Sequence, residues 1–177
     1  MELLVLLIVL LLLLGQWLKC SFLSRRESAA SALATACFVR MGIPWLTTRS
    51  AAGISAWLTG AAGMGDWTLL VVGEAALAAV FCFSRPSQRL KPLRLYPVLL
   101  AAPALCLLWA QWLFSRPGIN FTRFARWAAL LSALWVYGGS RLVRRLLPEE
   151  SARLEALFLT AFFLVLLTVA AAGALTL

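Results

Sequence analysis

A single carboxylate, Glu74, interrupts the otherwise apolar or small run TLLVVGEAALAAVFCF, residues 68–83. An acid in that setting can take up a proton or a cation, serve as counter-ion along a substrate path, or tie helices together through a hydrogen bond or ion pair. A charge at the centre of a membrane-crossing helix costs at least about 2.5–3.5 kcal/mol. Such a residue therefore needs either a structural partner or a task. On a helix, Glu74 shares a face with Leu70, Val71, Leu77 and Ala78, and Gly73 and Ala78 are small enough to let another helix approach closely.

The remaining candidates are mostly cationic. Arg40 lies close to the end of an apolar segment, where its long stem can carry the guanidinium to a headgroup layer or toward Glu74. Arg123 and Arg126, spaced i and i+3, share a helix face near an N-terminus, a position that favours anions. Contact with lipid phosphates is the plainer reading of this pair, and an outward-facing anionic ligand site is the other. Gln111, together with Arg116 and Asp66, is placed near the same side and is a further candidate for such a site.

Several chemistries find no footing. The chain has no histidine, which removes Ser-His-Asp catalysis and the commonest metal ligand. Cys20, Cys37, Cys82 and Cys106 are scattered singly in or beside apolar segments and read as small buried hydrophobes. There is no phosphate-binding loop, dinucleotide fingerprint or nucleophile elbow, and one central carboxylate does not assemble an acid–base constellation. No cofactor and no metal are expected, and the balance leans away from an enzyme.

The elements that must position these residues follow from composition. The 177 residues are 63% hydrophobic and only 13% charged, against about 25% charged in ordinary soluble domains. That is too little charge to coat a water-facing surface. The expected fold is all-α, a polytopic integral membrane helical bundle in one domain, with about six transmembrane helices. The spans fall at about 2–18, 25–43 or 51–64, 67–83, 96–114, 121–140 and 154–177. Ser24 and Glu27 match a capping box, Gly42 and Pro44 mark a stop, Gly65-Asp66 separates the segment 51–64 from the span 67–83, and Pro103 is expected to kink the fourth. Asn120 is a candidate N-cap, and Pro148, followed by Glu149 and Glu150, suits a helix start. Trp17, Trp45, Trp67, Trp112 and Trp127 fall near span ends, as interfacial belts do.

The net charge of +9 could suggest nucleic acid, but the cations cluster between apolar runs, which argues against it. With the N-terminus outside, Lys19, Arg25, Arg26, the loop quartet Arg85, Arg89, Lys91 and Arg94, and the arginines from 141 to 153 all lie inside. Arg40, Arg49, Arg116, Arg123 and Arg126 lie outside, in the sense of the positive-inside rule. Letting 51–64 cross in place of 25–43 gives a stronger bias but a very short span, and the choice stays open. The expected location is the bacterial inner (plasma) membrane. The expected partners are the lipid bilayer and either a second copy or the subunits of a membrane complex. Two functions fit: a small transporter- or channel-like protein with an intramembrane carboxylate, or a non-catalytic membrane subunit or scaffold of a larger complex.

The orientation has a direct check. Single cysteines introduced at 84–95 in a Cys-free background should be protected from a membrane-impermeant thiol reagent added outside intact cells. Rapid labelling there would reverse the threading.

Overall fold

A computed structural model describes residues 2–48, 53, 61–83, 100–116, 118 and 120–173. The described chain folds into six helices: α1 (Glu2–Cys20), α2 (Arg25–Thr47), α3 (Ala61–Phe83), α4 (Ala101–Phe114), α5 (Phe121–Leu146) and α6 (Glu150–Gly173). No strand occurs among the described residues. Three segments, Arg25–Leu46, Gly65–Phe83 and Glu150–Gly173, are long and apolar enough to cross a membrane; α4, at 14 residues, is shorter.

Helix starts are set locally. The Glu27 amide donates to Ser24 Oγ at 3.3 Å and the Ser24 amide to Glu27 Oε2 at 2.7 Å, which closes the capping box of α2. Asn120 Oδ1 accepts from the amides of Thr122 and Arg123 at 3.1 and 3.2 Å and caps α5. Each cap is worth about 1 kcal/mol.

Two boundaries differ from the sequence expectation. α2 runs through Pro44 to Thr47, because a proline in the last turn deletes only one late hydrogen bond. Gly42 is instead a point of close approach, since a Cβ there would come within 2.9 Å of Cys106 Sγ on α4. α3 begins at Ala61 and passes through Gly65 and Asp66 unbroken, so residues 61–64 belong to the same helix as 67–83. Pro103 lies in the first turn of the described α4, with Leu100 as N-cap, where its missing N–H would have had no helical partner. The basic quartet Arg85, Arg89, Lys91 and Arg94, together with Arg49, Pro97 and the stretch 54–60, lies outside the described residues.

The helices alternate in direction. Gln16 Nε2 of α1 donates to Thr35 Oγ1 of α2 at 3.2 Å, and Cys20 meets Ser31 farther along, so α1 and α2 are antiparallel. Ser28 and Ser140 hydroxyls lie 3.0 Å apart, while Val39, Ile43 and Leu46 cluster with Phe124 and Ala125, so α2 and α5 are antiparallel too. α6 runs against both α1 and α3, with Leu164 level with Leu12 and Val71, and Leu157 level with Leu18 and Phe81. α4 runs from that Leu12–Val71 level to Leu113 beside Leu46 and Phe124.

α1 is the central element. It packs on α4, α5 and α6, and Leu12, Leu13, Gly15, Gln16, Leu18, Lys19 and Cys20 are all buried. The carbonyls of the turn that follows it are collected by other helices. Arg144 of α5 donates through Nε to the Ser21 carbonyl at 2.6 Å and through its other guanidinium nitrogen to that of Leu23. Arg153 of α6 donates to the same Ser21 carbonyl at 3.2 Å and lies over the Phe22 ring. Cations at a helix C-terminus complement its dipole, and here they also fix the α1–α2 turn.

Trp17, in the last turn of α1, packs on α5 against Trp135 and beside Gly139. A Cβ at residue 139 would overlap the Trp17 indole. Gly139→Ala should therefore destabilise the protein by about 1–3 kcal/mol, read as a lowered thermal midpoint in detergent, whereas Gly138→Ala, which meets open space, should not. Equal midpoints for the two variants would contradict this packing.

Candidate functional site

Glu74 lies midway along α3, on the side turned toward α1 and α6. Its carboxylate reaches the start of α4, where Oε2 accepts a hydrogen bond from the Leu100 amide at 3.0 Å. The first N–H groups of any helix lack intrahelical acceptors, and the partial positive charge of that terminus favours an anion. The Ala104 amide bonds back to the Leu100 carbonyl, and Pro103 has no N–H to offer. A carboxylate from a neighbouring helix thus takes one of the amides at the start of the described α4.

The same carboxylate lines a cavity of about 30 Å³ between α1, α3 and α6. That volume holds one or two water molecules. The walls are largely small or apolar, with Gly15 from α1, Ala75 and Ala78 from α3, and Thr160 and Ala161 from α6. The cavity exists because glycine and alanine stand where longer side chains would fill it; a Cβ on Gly15 would already touch Thr160 Cγ2 at 3.8 Å. The Thr160 hydroxyl donates to the Ala156 carbonyl at 2.7 Å, which leaves its oxygen able to accept.

Lys19 is the second charged residue of this cavity. Only 4% of it is exposed. Its position is a consequence of helix geometry: side chains of a helix lean toward the N-terminus, so a lysine in the last turn of α1 points back along the helix rather than out past its end. One turn back stands Gly15, which lines the same cavity. The ammonium sits 5.6 Å from the centre of the Phe81 ring, and Coulomb attraction couples it to Glu74. Two opposite charges and a helix terminus are gathered at one place inside the bundle.

The other candidates lie elsewhere. Arg40 is exposed on α2, away from the Glu74 cavity, so the structure does not bring that pair together. Arg123 and Arg126 are exposed in the first turns of α5, and Gln111 is exposed on α4. Arg116 stacks over Trp112 at 5.1 Å, and Trp112 in turn stacks on Phe124. These residues gather toward the end of the bundle opposite Lys19. Among the described residues, no three cysteine, aspartate or glutamate side chains lie close enough to hold a metal ion.

Lys19 was not singled out from sequence, where it reads as one of the flanking cations that set orientation. The signal was available in the pairing of a helix-terminal lysine with a glycine four residues earlier. No protein family, curated protein or solved structure matches this chain.

The Leu100 bond separates two variants at one position. Glu74→Gln keeps a carbonyl oxygen for the Leu100 N–H, whereas Glu74→Ala leaves that amide without its acceptor and should cost about 1–3 kcal/mol. Amide exchange at Leu100 should accelerate strongly in the alanine variant and little in the glutamine variant. Equal exchange in both would remove the bond from the account.

Proposed function

We propose that the protein is a multi-pass membrane protein of the transporter- or channel-like kind, in which Glu74 handles a small ion within the bilayer. The six helices cross in alternating directions, with α2 rather than 51–64 as the second span. The ends carrying Lys19, Arg25, Arg26 and Arg141–Arg153 face the cytoplasm of a bacterial inner membrane, and the N-terminus faces outward. The alternation of helix directions and the many exposed leucines, valines and phenylalanines support the membrane setting. So do Trp45, Trp112 and Trp127, all exposed near the end proposed to face outward, where an aromatic belt belongs. Arg40, Arg123 and Arg126 near that end are suited to lipid phosphates.

The observation that carries the functional reading is the shared cavity of Glu74 and Lys19. Ionisable residues inside a membrane are costly and mark ion pathways or relays. A space for one or two waters fits a small ion and excludes an organic substrate in this conformation.

A second reading has its own support. The Glu74–Leu100 bond joins α3 to α4, as a purely structural residue would, and favours a non-catalytic subunit that scaffolds a membrane complex or a second copy of itself.

Flux distinguishes the two. The purified protein in proteoliposomes should dissipate an imposed gradient of H⁺, Na⁺ or K⁺. Glu74→Gln should lower that flux at least tenfold while the variant still folds and reconstitutes. Unchanged flux, or a variant whose main defect is lost folding or lost co-purification of a partner, would remove the transport reading in favour of the scaffold.

A further inference from the structure

We propose that the ion bound at Glu74 is a proton, and that Lys19 is the residue that keeps metal cations out of the cavity. This deepens the ion-handling reading of the site and rests on it. Lys19 is buried and lines the same 30 Å³ space as Glu74. An ammonium is close to a potassium ion in size and equal in charge, so the protein supplies its own cation where Na⁺ or K⁺ would have to sit. The lining offers a metal ion few oxygens: the Glu74 carboxylate, already engaged by the Leu100 amide, and the Thr160 hydroxyl. A proton needs only one carboxylate oxygen.

The chemistry balances without any further reactant. A proton from water adds to a carboxylate oxygen of Glu74, and the net charge of the pair rises by one. Release reverses the step. The neutral acid still offers a carbonyl oxygen to the Leu100 N–H, so the start of α4 stays closed in both states. From α1, the ionisable group facing the cavity is Lys19; the α6 residues there, Leu157, Thr160, Ala161 and Leu164, are not titratable. Cys20 and Cys82 lie near Lys19. The ring of Phe81 lies beside the ammonium, 5.6 Å from it to the ring centre, so the lysine has a second neighbour besides Glu74.

The test is infrared titration of the protonated-carboxyl C=O band in phosphatidylcholine proteoliposomes, with Glu74→Gln assigning the band. In the wild-type protein the midpoint should be the same in choline, Na⁺ and K⁺ chloride at equal ionic strength. In Lys19→Met, a tenfold rise of Na⁺ or K⁺ at the expense of choline should weaken proton binding at least threefold, by competition. Lys19→Arg, which keeps the charge, should behave like the wild type. A wild-type midpoint that follows Na⁺ or K⁺, the absence of a titrating Glu74 band, or a Lys19→Met protein indifferent to both metals would each overturn the proposal. The wild-type comparison stands alone if Lys19→Met does not fold. A protein that titrates as expected but moves no ions in the flux assay keeps the proton site and loses the transport reading.

Discussion

A helix that begins inside a packed bundle presents backbone N–H groups with nothing behind them to accept a hydrogen bond. In an apolar interior each such group costs several kcal/mol. At the start of the described α4 this constraint meets its answer in Glu74, whose carboxylate takes the Leu100 amide from across the gap between two helices. The bond ties α3 to α4 at the level of Leu12 and Leu164, where α1 and α6 close the other sides. A carboxylate so placed needs a compensating charge, and Lys19 of the central helix supplies it. The cavity between α1, α3 and α6 is built around these two side chains.

The same logic of satisfied polar groups runs through the rest of the packing. Thr160 and Thr168 donate to carbonyls one turn earlier in α6, and the Trp109 indole donates to Ser132. Gln16 and Thr35 join α1 to α2, and Ser28 and Ser140 join α2 to α5. The arginines at one end do more than set orientation. Arg144 and Arg153 hold the carbonyls that follow α1, so the central helix is anchored from α5 and α6 at the end that bears Lys19.

The sequence made the local features legible and hid those built over distance. Ser24, Glu27 and Asn120 cap helices as their types and spacing imply, because a cap needs only its own next few residues. Glu74 stood out because a lone acid in an apolar run is conspicuous whatever surrounds it. Its partners did not. Leu100 is 26 residues away and Lys19 farther still, and the lysine was disguised by its place among flanking cations. Side-chain direction in helices, rather than charge counting, is what turns it inward. Pro103 falls in the first turn of the described α4, and the stretch before Leu100, on which a kink depends, lies outside the described residues. Gly65-Asp66 suggested a boundary that α3 ignores, since exposed residues near a helix start impose little on a helix held by its far end.

The account stands on where the Glu74 carboxylate is. Solid-state NMR of the protein in lipid, with ¹³C at Glu74 Cδ and ¹⁵N at the Leu100 amide and Lys19 Nζ, measures that placement through dipolar couplings. The 3.0 Å bond from the Leu100 amide to Oε2 predicts a strong coupling to the amide, and the shared cavity predicts a second coupling to the lysine. Loss of both couplings, with the carboxyl carbon in contact with lipid acyl chains instead, would contradict the account.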